Sequence, residues 1–134
     1  MPACLAGIKC RWDGEARPCK KVIDLVKQGK AIPVCPEQLG GLTTPRPPAE
    51  QKGKKVITKA GKDVSREFER GAREVLKIAK LAGCREAILK SKSPSCGSGK
   101  VYDGTFSGRL IDGHGVLTAL LKKNRISVKS EEDI

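Results

Sequence analysis

The stretch "DVSREFERGAREVLKIAKLAGCREAILKSKSPSCG", residues 63–97, decides the fold. Its first part places apolar residues at Phe68, Ala72, Val75, Leu76, Ala79 and Leu81, the spacing that turns one stripe of a helix toward a core. Ser65 stands where an N-cap belongs, and Gly83 where a helix ends. The next part, "EAILKS", is short and apolar, which predicts a buried strand. Then "SKSPSCGSGK", residues 91–100, packs no core and continues no helix, yet carries Cys96 at its middle. A helix feeding a buried strand that opens into a loop of small polar residues is half of an α/β unit.

The same alternation continues on both sides. "GVLTALLKKN" (115–124) predicts a second helix, closed by two lysines and Asn124, and "RISVKS" (125–130) a last strand. Upstream, "KKVIDLVKQGK" (20–30) predicts a helix ending at Gly29, and "AIPV" (31–34) a strand. Strand, helix, strand, helix, strand implies a parallel sheet of few strands, flanked by helices and joined by right-handed crossovers. No repeat and no linker divides the chain, so residues 1–134 are expected to form a single domain. "LTTPRPPAE" is forced into an extended loop by its prolines. Val56–Thr58 predicts a small strand inside an otherwise irregular stretch, 43–63, and long ordered loops are often functional.

Composition narrows the partners. The 134 residues carry a formal charge of +12, which favours anionic partners such as nucleotides, RNA or phosphates. A solvated lysine-rich surface accounts for the same count and, by composition alone, is the commoner cause. Aromatic residues make up only 3%, too few for a stacking platform for single strands. No stretch approaches the ~20 apolar residues of a membrane span. Lys9 and Arg11 interrupt the start, so no signal peptide is expected and a cytoplasmic location follows. In a reducing compartment, six cysteines point to metal ligands, reactive thiols or buried fillers rather than disulfides.

Three of those cysteines follow predicted strands or the chain start: Cys4, Cys35 after "AIPV", and Cys96 after "AILK". In an open parallel sheet, ligands gather beyond the carboxyl ends of the strands, so these thiols are candidates to converge. No C-x-x-C knuckle occurs, which argues against a structural zinc ribbon. Soft thiolates suit zinc or an iron–sulfur cluster, and three protein ligands leave one metal position open. Buried free cysteine is the ordinary alternative. Two other functions stand beside a cluster enzyme: a zinc-dependent hydrolase using the same cysteines, and a non-catalytic basic RNA-binding or iron–sulfur protein. The deaminase H-x-E signature is absent, because His114 is followed by Gly115 and Val116. Arg46 and Lys90 are candidate phosphate contacts. Cys10 reads as a packing residue, Cys19 and Cys84 as fillers, His114 as a polar loop residue, and Asp13 and Asp103 as turn formers.

Four strings then act together: "ACLAGIKCRWDG" (3–14), "VCPEQLGGLTTPR" (34–46), "KSPSCG" (92–97) and "YDGTFSGRL" (102–110). Their order and spacing resemble the thiouracil desulfidase family, from Ala3 to about Glu131. The resemblance implies a Rossmann-like α/β domain holding a 4Fe–4S cluster through three cysteines only, with one open iron. It also implies removal of sulfur, without net redox, from 2- or 4-thiouracil or 4-thiouridine monophosphate; tRNA is a larger candidate partner. Carried over by motif, Cys4, Cys35 and Cys96 are the ligands, while Glu37 and Ser93 fall at the catalytic acidic and hydroxyl positions. Ser95 is counted with Arg46 and Lys90 as a substrate contact. The chain departs from the pattern at its start. Only Met1, Pro2 and Ala3 stand where the family has a short apolar strand, so a missing first strand and a mobile Cys4 are expected.

Overall fold

The computed structural model describes all residues, Met1–Ile134. The decisive stretch forms α3 (Ser65–Leu81) and then a strand, Glu86–Leu89. Phe68, Ala72 and Val75 are buried as their spacing requires, with Leu76 and Ala79 packed beside them. Leu81 is a correction: it is 89% exposed. It lies about one and two-thirds turns past Val75, which swings it off the buried stripe. Ser65 is also corrected. It is the first helical residue, and its Oγ accepts from Val56 N at 2.9 Å, while Asp63 Oδ1 accepts from Ser65 N at 2.9 Å. Asp63 therefore serves the helix start, and Ser65 ties the helix to a neighbouring strand. Gly83 takes φ +68° just past the helix end, as a terminating glycine does.

In chain order the elements are α1 (Lys20–Lys27), α2 (Pro36–Leu39), β1 (Ala49–Lys52), β2 (Lys55–Thr58), α3, β3 (Glu86–Leu89), β4 (Lys100–Tyr102), β5 (Leu110–Asp112), α4 (Val116–Lys123) and β6 (Ser127–Ser130). The mixed α/β architecture with a parallel pair is as expected: β3 and β6 run parallel, with Glu86 opposite Ser127 and Leu89 opposite Ser130. The strand expected over 31–34 shrinks to one parallel bridge, Pro2 with Val34. Pro33 and Pro2 each lack the N–H that a longer ladder needs. That bridge still corrects the expectation of a mobile Cys4. Ala3 N donates to Val34 O at 2.7 Å and Val34 N to Met1 O at 2.8 Å. Cys4 then sits in a short 3-10 turn, Ala3–Ala6, only 8% exposed.

Two antiparallel hairpins form, β1–β2 and β4–β5; of their strands the sequence predicted only β2, over Val56–Thr58. They dock on each other: Glu50 Oε1 accepts from Gly104 N at 3.0 Å and Phe106 N at 3.2 Å. Hydrophobic burial is split between two main centres. One holds Ala72, Val75, Leu89, Cys96, Leu117, Leu121 and Ile126. The other holds Ala3, Cys4, Leu5, Cys10 and Val22, with Cys35 packed against it. The short helix α2 crosses α3 at two glycines. A Cβ on Gly40 would stand 1.9 Å from Glu67 O, so no side chain fits between the helices. No helix is long and apolar enough to cross a membrane.

Candidate active site

A cavity of about 530 Å3 opens where the two centres meet. Cys4, Cys35, Cys96, Glu37, Ser93, Arg46 and Lys90 all line it. Each arrives by a different local route. Cys4 follows the parallel bridge. Cys35 is the N-cap residue of α2, so Pro36 at the first helical position and Glu37 in the first turn are fixed behind it.

Cys96 is delivered by the "SPSCG" loop, and that loop is internally built. Ser93 Oγ accepts from both Ser95 N and Cys96 N, each at 3.1 Å. Thr118 Oγ1 donates to Cys96 O at 2.8 Å. Gly115 brings the start of α4 so close that a Cβ there would stand 2.3 Å from Ser95 O. With its lone pairs engaged by two N–H groups, Ser93 keeps its hydroxyl proton free to donate.

Burial opposes charge on the thiols. It pushes Cys96 up to about 12, with the Glu37 carboxylate adding to the effect. Burial likewise raises Cys4, and the neighbouring Cys35 adds to it. A group that binds thiolates and supplies positive charge relieves this cost, because metal binding expels the protons. The donor set therefore fits an iron–sulfur cluster. It does not fit one ion: no three His, Cys, Asp or Glu side chains gather closely enough to hold a single metal. Zinc needs ligands about 2.0–2.3 Å from one centre, so the zinc-hydrolase alternative finds no ready site.

Two expected substrate contacts are placed differently. Ser95 is 1% exposed and does not line the cavity; its carbonyl instead accepts from Leu117 N and Thr118 N. Its hydroxyl has no partner of ordinary geometry, but it lowers the Cys96 thiol against the effect of burial. Arg46 reaches the cavity, yet its side chain is 4% exposed. It donates to Glu37 Oε1 at 3.2 Å, Thr43 O at 3.0 Å, Thr44 Oγ1 at 2.9 Å and Cys10 O at 3.0 Å. That is not a cation free for phosphate. Lys90 pairs with Glu131 at 3.2 Å but remains partly exposed at the cavity wall.

Sequence reasoning underused three wall residues. Cys10 lines the cavity, and the Cys35 thiol leans toward its carbonyl at 3.7 Å. Burial, then the proximity of Cys35, pushes the Cys10 thiol up to about 12. Its place six residues after Cys4 was the available signal. Trp12 and Tyr102 supply aromatic wall, and nothing local to "VYD" marked the tyrosine. Cys19, Cys84 and His114 stand outside the cavity. His114 Nδ1 accepts from Gly99 N at 3.0 Å, and Asp13 and Asp103 accept from Glu15 N and Thr105 N in turns, as expected.

Comparison with known proteins bears on this arrangement. The model of the 2-thiouracil desulfurase family matches residues 1–133. The chain belongs to that family. It is accordingly an enzyme, and similarity runs through its whole length. A solved structure described as the 4Fe–4S-dependent thiouracil desulfidase TudS is 45% identical, with a TM-score of 0.94, covering 99% of this chain and 89% of that one. An uncharacterised Bacillus subtilis (strain 168) protein, YbbK, is 44% identical over 144 residues, spanning 100% of this chain and 95% of that protein.

Proposed function

We propose that this enzyme removes sulfur from thiolated uracil, as free base or nucleotide, by hydrolysis without net redox. Water enters, a C=S bond becomes C=O, and sulfide leaves. Cys4, Cys35 and Cys96 would hold a 4Fe–4S cluster, and one open iron would supply Lewis acidity to the thiocarbonyl. The observation that carries the reading is the convergence of those three thiols with Glu37 and Ser93, from separated motifs, on one cavity.

The chain's own groups divide the remaining work. Glu37 takes a proton from the attacking water and returns it later. No protein group donates to its Oε2, which leaves that oxygen available to water. Ser93 donates its free proton to the substrate or to that water. Trp12 and Tyr102 wall a planar base, whose faces match apolar rings. Lys90 at the cavity wall meets a phosphate when the substrate is a nucleotide. Six unpaired cysteines suit a reducing compartment, and we place the enzyme in the cytoplasm.

The test is anaerobic reconstitution followed by assay of sulfide from 4-thiouracil, 4-thiouridine monophosphate and thiolated tRNA. Sulfide from the base or the nucleotide supports the reading. Protein that loads its cluster and releases none from any of the three refutes it.

A further inference from the structure

The geometry points to Arg46 as a positioning residue that acts on the reaction through Glu37. The inference rests on the role proposed for Glu37. Arg46 is delivered by the proline-stiffened loop after α2, and its own N–H donates to Trp12 O at 2.8 Å. Its guanidinium then joins three separate pieces of the site. Nε reaches Glu37 Oε1 at 3.2 Å, on α2. Nη1 reaches Thr43 O and Thr44 Oγ1, on its own loop. Nη2 reaches Cys10 O at 3.0 Å, the same carbonyl toward which the Cys35 thiol leans.

Burying a guanidinium is costly unless its donors are matched and its charge is paired. Here four of five N–H groups have acceptors and a carboxylate balances the charge. That leaves little for a substrate phosphate. It leaves Glu37 with one oxygen tethered and the other free, so rotation of the carboxylate is suppressed. A misplacement of about 1 Å at a reacting group costs up to roughly 100-fold, so such a tether has catalytic weight. A lysine would keep the charge but lose the planar fork that bridges Glu37 and the Cys10 carbonyl.

The experiment is a double-mutant cycle on anaerobically reconstituted protein with 4-thiouracil. Arg46→Gln and Arg46→Lys are each made alone and with Glu37→Gln. Cluster absorption and melting temperature are recorded on the same samples. Arg46→Gln is expected to lower kcat roughly tenfold or more, with KM little changed, and Arg46→Lys to recover part of that loss. In the Glu37→Gln background, neither change lowers kcat further. An equal fold loss in both backgrounds, or a rise in KM with kcat intact, overturns the inference. Should Arg46→Gln fail to load a cluster, Arg46→Lys carries the same comparison. Wild-type turnover by Glu37→Gln removes the role of Glu37 and this inference with it, a pattern distinct from additivity.

Discussion

A Cβ placed on Gly71 would stand 1.9 Å from the carbonyl oxygen of Pro36, so α2 and α3 meet backbone against backbone at the residue between Cys35 and Glu37. Gly71→Ala must push α2 outward and carry both functional neighbours with it. The expected cost is about 1–3 kcal/mol of stability, as for an overpacked core, read as a lower urea midpoint. Turnover per loaded cluster should fall as well. An alanine variant of unchanged midpoint and rate would show that this crossing is not rigid.

Each of Cys4→Ser, Cys35→Ser and Cys96→Ser should abolish the iron–sulfur absorption after reconstitution. Cys19→Ser and Cys84→Ser lie outside the cavity and should keep it. Loss of the spectrum in Cys19→Ser together with its retention in Cys96→Ser would refute the ligand set.

Glu37→Gln keeps size and the bond from Arg46 but cannot take a proton. Its cluster should load normally, and sulfide release should fall by roughly 100-fold or more, as for loss of a general base. A wild-type rate in loaded protein would move the base elsewhere.

Because the proposed step is hydrolysis, sulfide release should continue with no external electron donor. Turnover that consumes reductant in step with product would contradict the mechanism.

Glu131 supplies a pH-dependent element beside the site. Burial pushes its carboxyl up, but hydrogen bonds from the Ser91 side chain and backbone, with Lys90 nearby, hold it below the ordinary glutamate value. A carboxyl depressed in the folded state stabilises it above the unfolded pKa, and that contribution is lost as pH falls through the folded value. Glu131→Gln should therefore be less stable than wild type at neutral pH, with the two converging in acid. Parallel stability curves at all pH values would count against this pairing.

The elements written in local pattern were legible: the stripe of α3, the apolar "AILK", and the glycines after α1 and α3. The loop motifs also named Cys4, Cys35, Glu37, Ser93 and Cys96, which line the cavity, but placed Ser95 there wrongly. What escaped depends on distant partners. β1 reads "AEQK", with no alternation, because its stabilisation comes from β2 and from the loop that Glu50 holds. Leu81 fitted the composition of a stripe but not its phase. Arg46 read as a phosphate contact because its acceptors on Glu37 and Cys10 are brought to it only by folding.

The divided interior has a further meaning. Cys4 belongs to the N-terminal centre, with Cys35 against it, while Cys96 belongs to the other. If all three hold one cluster, it would tie together two centres already joined by the Pro2–Val34 bridge, by Ile88 and Ile134 packed on the N-terminal one, and by the bond from Arg46 to Cys10 O. Ligand binding to the folded form alone adds its free energy to folding. Loss of the cluster would then cost the fold some of its stability as well as silence its chemistry.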